Sequence, residues 1–168
     1  MKWNKLYKYP KCTRSLIEGN RHYDINQEML PSVTTIIQET QSDEKKASLS
    51  NWRQKVGENE AEKIKNTAAA RGTLMHSFLE YYVRGDKLLD LSDEGQVASG
   101  MGQVIIDQGF SELKEIWGSE VTLFYPGLYA GSTDLCGIYS EHESIIDFKQ
   151  TNKPKRKEWI DDYFVQLG

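Results

Sequence analysis

Along residues 43–56 the apolar positions Leu49, Trp52 and Val56 recur at intervals of three and four, the period of a helix, and Ser42 stands where an N-cap belongs. Gly57 predicts a break. Ala61 and Ile64 carry the same spacing through a second helix, 58–70, that ends in an alanine run. Arg71-Gly72-Thr73 reads as punctuation, with Thr73 placed to cap a third helix over 74–84 that Gly85-Asp86 ends. A further helical stretch runs from about Ser92 to Gln108 and stops at Gly109. Trp52 and the Tyr81-Tyr82 pair sit at helical spacing and are expected in the core. Pro31-Ser32-Val33-Thr34-Thr35-Ile36-Ile37 supports two readings, a short β-branched strand or a helix start capped by Ser32. Residues 1–30 are mixed and aromatic, which predicts extended segments and turns.

After Gly118 the period changes from that of a helix to that of a strand. Glu120–Tyr125, Leu128–Tyr139 and Glu143–Lys149 read as three strands, the middle one interrupted by Gly131 and Gly137. The links Pro126-Gly127 and Ser140-Glu141-His142 are short enough for hairpins, so an antiparallel meander is expected. Pro154 precedes a last helix from about Lys155. Helices, a meander and a helix make an α+β or mixed α/β layout, read as one domain over 1–168. The final helix stops at Gly168 with no strand after it, which suggests a fragment of a longer protein or an unusually short one.

A chain of 168 residues, 38% hydrophobic and 27% charged, has the composition of a globular domain with one real core. No run of 18 apolar residues exists, which excludes a helical membrane span. The start, Met1 to Lys8, lacks an apolar segment, so no secretory signal is expected. Two cysteines, Cys12 and Cys136, exclude a disulfide scaffold and a four-thiolate cluster, and point to a reducing compartment, most simply the cytoplasm. The net charge of −4 gives no support to a nucleic-acid partner. Its distribution is uneven, however. Lys2 to Arg21 holds six basic residues against Glu18 alone, and four of the five residues from Lys153 to Lys157 are basic. A basic rim around acids suits a site that binds a polyanion and holds a cation, and it equally suits an ordinary surface.

The chemistry concentrates in Gly131-Ser132-Thr133-Asp134 and, thirteen residues after Asp134, Asp147-Phe148-Lys149. Asp147 and Lys149 are two apart on one strand and share a face, and a hairpin brings Asp134 beside Asp147. Two carboxylates that close repel unless a cation lies between them. Oxygen donors of this kind suit Mg²⁺ or Mn²⁺, and a neighbouring lysine can position water or neutralise charge on a phosphate. Alone, an Asp-x-Lys triplet is most often a solvated hairpin. His76 and Glu80, at i and i+4, share a helical face, where a simple hydrogen bond between them is the commoner reason. Glu120 opens the first strand within reach of the same region, and Gln166 shares a helical face with Tyr163 and Trp159.

Taken in order, these residues resemble the PD-(D/E)XK nuclease superfamily. Within it they are similar to the RecB-like exonuclease branch, close to the mitochondrial genome maintenance exonuclease and its phage and bacterial relatives. Leu30-Pro31-Ser32-Val33-Thr34, Trp52-Arg53 and Arg71-Gly72-Thr73-Leu74-Met75-His76 extend the likeness over about residues 30 to 168. The resemblance implies a restriction-endonuclease-like core, a central mixed sheet flanked by helices, and metal-dependent cleavage of DNA, usually of single strands from an end. It implies Asp134, Asp147 and the Phe148 carbonyl as ligands of one or two Mg²⁺ or Mn²⁺ ions. It further implies His76 as a ligand typical of the branch, Glu120 as an accessory acid, Lys149 as the catalytic lysine and Gln166 as the residue that orients the site. The glutamine motif of the family continues to a tyrosine at what would be position 170, beyond this chain, and the family's last strand is absent. The iron–sulfur version of the fold needs four cysteines and is excluded.

Arg71, Lys153, Lys155 and Arg156, with Lys157, are the expected phosphate contacts, and a solvated helix start is the alternative for the last four. Two other functions fit the same residues: a nucleic-acid-binding module without catalysis, and a structure-specific endonuclease on the same fold.

Overall fold

The computed structural model describes residues 1–151, 155–157 and 160–167. Among these the protein is a mixed α/β structure of seven strands and five helices, forming two compact units.

The first unit, residues 1–39 and 109–168, holds both sheets. Strands β2 (Cys12–Ile17), β3 (Asn20–Ile25) and β4 (Glu28–Pro31) form an antiparallel sheet where only extended segments and turns were expected. Its two hairpins turn at Glu18-Gly19 and Asn26-Gln27, all four residues with positive φ, as two-residue hairpin turns that match the strand twist require. Tyr23, Ile25 and Leu30 from this sheet bury themselves against Ala130, with Phe124 at the margin.

The second sheet has the order β1-β5-β6-β7, with β1 (Lys2–Trp3), β5 (Leu113–Tyr125), β6 (Tyr129–Tyr139) and β7 (His142–Ile146). The expected meander is present as β5-β6-β7. β1 pairs parallel to β5 through Lys2↔Glu115 and Trp3↔Ile116, so the sheet is mixed. Between β5 and β6 the chain turns at Pro126-Gly127, with Gly127 at φ 73° and the Leu128 N–H on the Tyr125 carbonyl at 3.1 Å. β5 begins seven residues earlier than its alternation suggests, because two irregularities, between Leu113 and Glu115 and between Ile116 and Gly118, break the period of two. Glu120 therefore lies inside the strand, not at its opening. β7 ends at Ile146, so Asp147 to Lys149 follow the strand instead of completing it.

Helix α1 (Val33–Glu39) resolves the ambiguous segment in favour of a helix. Ser32 is buried, its carbonyl accepts from the Ile36 N–H, and its hydroxyl meets that of Thr34 at 2.8 Å. α1 packs on β6, where Gly131 leaves room for Val33: a Cβ there would sit 3.1 Å from the valine methyl. Helix α5 (Asp161–Leu167) packs against α1 and begins later than expected.

The second unit, residues 40–108, is helical. Helix α2 (Asp43–Val56) is capped by Ser42, whose hydroxyl accepts from the Lys45 N–H at 3.3 Å, and it ends at Gly57 with φ 91°. Helix α3 (Glu58–Arg84) is continuous for 27 residues, where two helices separated by Arg71-Gly72-Thr73 were expected. Thr73 caps nothing; its hydroxyl donates back to the Ala69 carbonyl at 3.0 Å, as in a helix interior. The alanine run before it has the highest helix propensity, which outweighs one glycine at about 1 kcal/mol. Gly85, left-handed at φ 84°, ends α3. Helix α4 (Asp93–Gly109) packs Gly102 so close to the Phe78 ring that a Cβ would approach within 2.5 Å. Met75, Leu79, Val83, Ala98 and Ile106 are buried. Trp52, Tyr81 and Tyr82 are not core: 38% to 41% of each is exposed. Helical spacing sets which side of a helix they share, and nothing local says what covers it.

Candidate active site

Two acids face each other across β5 and β6, and a third follows the end of β7. The pairs Ser119↔Leu135 and Val121↔Thr133 bracket Glu120 opposite Asp134. The β6–β7 ladder ends at the pair Leu135↔Ile146, and Asp147 is the next residue of the chain. A carboxylate oxygen of Glu120 lies within 4.8 Å of one of Asp134. Glu120 reaches this place from a left-handed backbone at φ 52°, which a non-glycine residue adopts only at a cost.

The end of β7 and the segment after it are each tied to β6. The Phe148 N–H donates to Oδ2 of Asp134, and the Thr133 hydroxyl is shared between the carbonyls of Leu135, at 2.9 Å, and Ile146, at 3.1 Å. The Phe148 side chain is buried, with its ring 5.9 Å from that of Phe110. One residue thus anchors the Asp-x-Lys triplet at its middle, and the two flanking side chains point away from that anchor.

Those two side chains meet each other. Lys149 Nζ is 2.6 Å from Asp147 Oδ2. Gln166, from α5, donates through Nε2 to Asp147 Oδ1 at 3.3 Å and accepts through Oε1 from Lys149 Nζ at 3.3 Å. The three form a closed ring of hydrogen bonds, with Asp147 largely covered and Lys149 about one-third exposed. The Tyr163 ring lies under the ammonium, 5.4 Å from its centroid to Nζ. A turn of helix separates Tyr163 from Gln166, so α5 presents both to Lys149.

The other expected residues are placed as follows. His76 and Arg71 are half-buried on α3 of the helical unit. Glu80, four residues after His76, is ion-paired with Arg84. Lys155 and Arg156 are exposed, as is Lys157. Lys153 and Trp159 lie outside the described residues.

A hard divalent cation fits the donor set. Glu120 and Asp134 supply anionic oxygens close enough to share one ion, and such oxygens suit Mg²⁺ and Mn²⁺. Asp147 instead faces Lys149 and Gln166, which leaves its charge balanced by the lysine.

Asp147 and Gln166 also border a cavity of about 200 Å³ lined by Leu123, Ile145, Val165, Tyr125 and Tyr129. The two tyrosines flank the Pro126-Gly127 turn and touch ring to ring, centroids 6.1 Å apart. Their place on the cavity that Asp147 borders is not apparent from sequence; the cross-strand pair Tyr125↔Tyr129 is the signal that a hairpin register exposes.

A separate polar contact lies where β1 and β2 meet the sheet. The Tyr9 hydroxyl is 3.1 Å from Cys136 Sγ, and burial pushes the pKa of both groups up. Cys12 meets the Thr122 hydroxyl at 2.9 Å, and both cysteines are free thiols.

Compared with known proteins, the sequence matches no family model and no curated protein. No described helix is long and apolar enough to cross a membrane.

Proposed function

We propose that the protein is a divalent-metal-dependent deoxyribonuclease of the PD-(D/E)XK kind that hydrolyses phosphodiester bonds, acting on single-stranded ends. The observation that supports this reading is the acid pair Glu120 and Asp134, with Asp147 just after β7 and Lys149 held on it beside Gln166. A group of carboxylates with one ordered lysine is what phosphodiester hydrolysis needs: anionic ligands for a cation, and a positive charge where the phosphate becomes more negative.

In this mechanism Glu120, Asp134, Asp147 and the Phe148 carbonyl would hold Mg²⁺ or Mn²⁺, and the resemblance implies His76 as a further ligand. Such an ion would supply Lewis acidity at the phosphate. Lys149 exchanges its contact with Asp147 for a phosphate oxygen or the attacking water. Gln166 keeps the ammonium in place during that exchange, and the Tyr163 ring limits its swing. Arg71, Lys155 and Arg156 act as phosphate contacts further along the strand.

The test is cleavage of end-labelled linear and circular single-stranded DNA with Mg²⁺, with Mn²⁺ and with chelator. Loss of linear substrate only, dependent on metal and abolished in folded Asp147→Ala and Lys149→Ala proteins, is the expected result. Metal-dependent cleavage retained in both variants overturns the assignment. Binding without products under every condition identifies a non-catalytic binding module, and cutting of circles identifies an endonuclease.

A further inference from the structure

The cavity beside Asp147 is more apolar than phosphate chemistry requires. Leu123, Ile145, Val165, Tyr125 and Tyr129 in its lining offer no charge to a sugar-phosphate backbone, yet Asp147 and Gln166 line it as well. Tyr125 is 57% exposed and Tyr129 36%, and their mutual contact fixes the two ring planes 32° apart. Large exposed aromatics held in a fixed orientation at the mouth of an apolar groove suit a flat, weakly polar ring.

Resting on the nuclease reading, we infer that the Tyr125–Tyr129 groove is a base-stacking subsite for single-stranded DNA, holding an unpaired base a short distance from the scissile phosphate. Five residues of β6 separate Tyr129 from Asp134, which at 3.4 Å per residue is about 17 Å. That distance exceeds one nucleotide and suits a short oligonucleotide. The base on the tyrosines therefore belongs to a different nucleotide from the one whose bond is cut. A duplex keeps its bases stacked on one another and cannot supply a free face there. The groove thus selects unpaired strands irrespective of sequence, because every base has a π-face.

The experiment is binding of a labelled oligothymidylate to the whole chain by fluorescence anisotropy, with chelator present so that no cleavage intervenes. Alongside it run an otherwise identical strand carrying abasic sites, a dinucleotide and a duplex. Stacking contributes about 1–3 kcal/mol per base, so Tyr125→Ala weakens oligothymidylate binding about fivefold or more. The same variant leaves the abasic strand and the dinucleotide unaffected, and Tyr125→Trp restores affinity. Thermal melting verifies that each variant folds. Equal loss for intact and abasic strands overturns the inference, as does self-association of the protein that disappears in Tyr125→Ala. Cleavage of single strands by the wild-type protein, with affinity indifferent to Tyr125, sinks the subsite alone. Wild-type protein that neither binds nor cuts DNA sinks the nuclease reading together with it.

Discussion

The amide of Phe148 donates to the carboxylate of Asp134, fourteen residues earlier in the chain, so one hydrogen bond fixes both an acid of the proposed site and the segment that carries the other acid and the lysine. Asp134 is therefore a structural acceptor as well as a candidate ligand, and its two roles separate by substitution. Asp134→Asn keeps an oxygen for the Phe148 N–H and loses the charge. It is expected to fold like the parent and to lose cleavage and metal binding. Asp134→Ala orphans the amide as well and costs a further 1–2 kcal/mol or so in a denaturant titration.

Gln166 touches both Asp147 and Lys149, and its amide matches an acceptor to the lysine and a donor to the acid. Gln166→Ala is expected to lower kcat about tenfold or more with little change in Tm, as loss of an orienting partner commonly does. Gln166→Glu retains the acceptor for Lys149 but sets a second negative charge against Asp147. The cleavage rate should fall further than in the alanine variant. Recovery of activity by the glutamate variant would show that Gln166 acts on the lysine alone.

Gly137 in β6 faces the Glu115 carbonyl, and a Cβ there would come within 2.0 Å of that backbone oxygen. No side chain can move aside to admit it. Gly137→Ala is expected to cost about 2 kcal/mol or more, read as a lowered denaturation midpoint, because the irregular stretch of β5 must shift.

Cys136 and Tyr9 predict an alkaline limit to stability. Burial raises both pKa values in the folded state, so the neutral forms are favoured there. The stability this contributes is complete below the ordinary pKa of each group. It is lost as pH rises through the raised values, since the unfolded chain ionises first. Melting temperature should fall at alkaline pH in the parent, and the fall should be shallower in Tyr9→Phe and Cys136→Ala. Under native conditions, alkylating agents should modify exposed Cys12 and spare Cys136.

The parts of the fold legible in sequence are those specified locally. Ser42 and Gly57 mark α2, Gly85 ends α3, and Pro126-Gly127 makes a turn, each through the conformation of a single residue. Asp147, Lys149 and Gln166 are singled out by their order along the chain, which resembles a known motif; the contacts among them span up to nineteen residues and are not encoded by local spacing, since β7 ends before Asp147. The β2–β3–β4 sheet escaped notice because β2 is exposed along nearly its whole length and carries no alternation. The pairing of β1 with β5 joins residues more than a hundred positions apart, which no local pattern encodes. Glu120 was misplaced at a strand end because the two irregularities of β5 hide the strand that precedes it.

The left-handed backbone at Glu120 sets architecture against activity at a single position. Glycine adopts that conformation without strain, so Glu120→Gly should relieve roughly 1 kcal/mol of strain, read as a raised melting temperature, while removing the carboxylate that faces Asp134. On the proposed reading, a sturdier protein that cuts nothing is one substitution away.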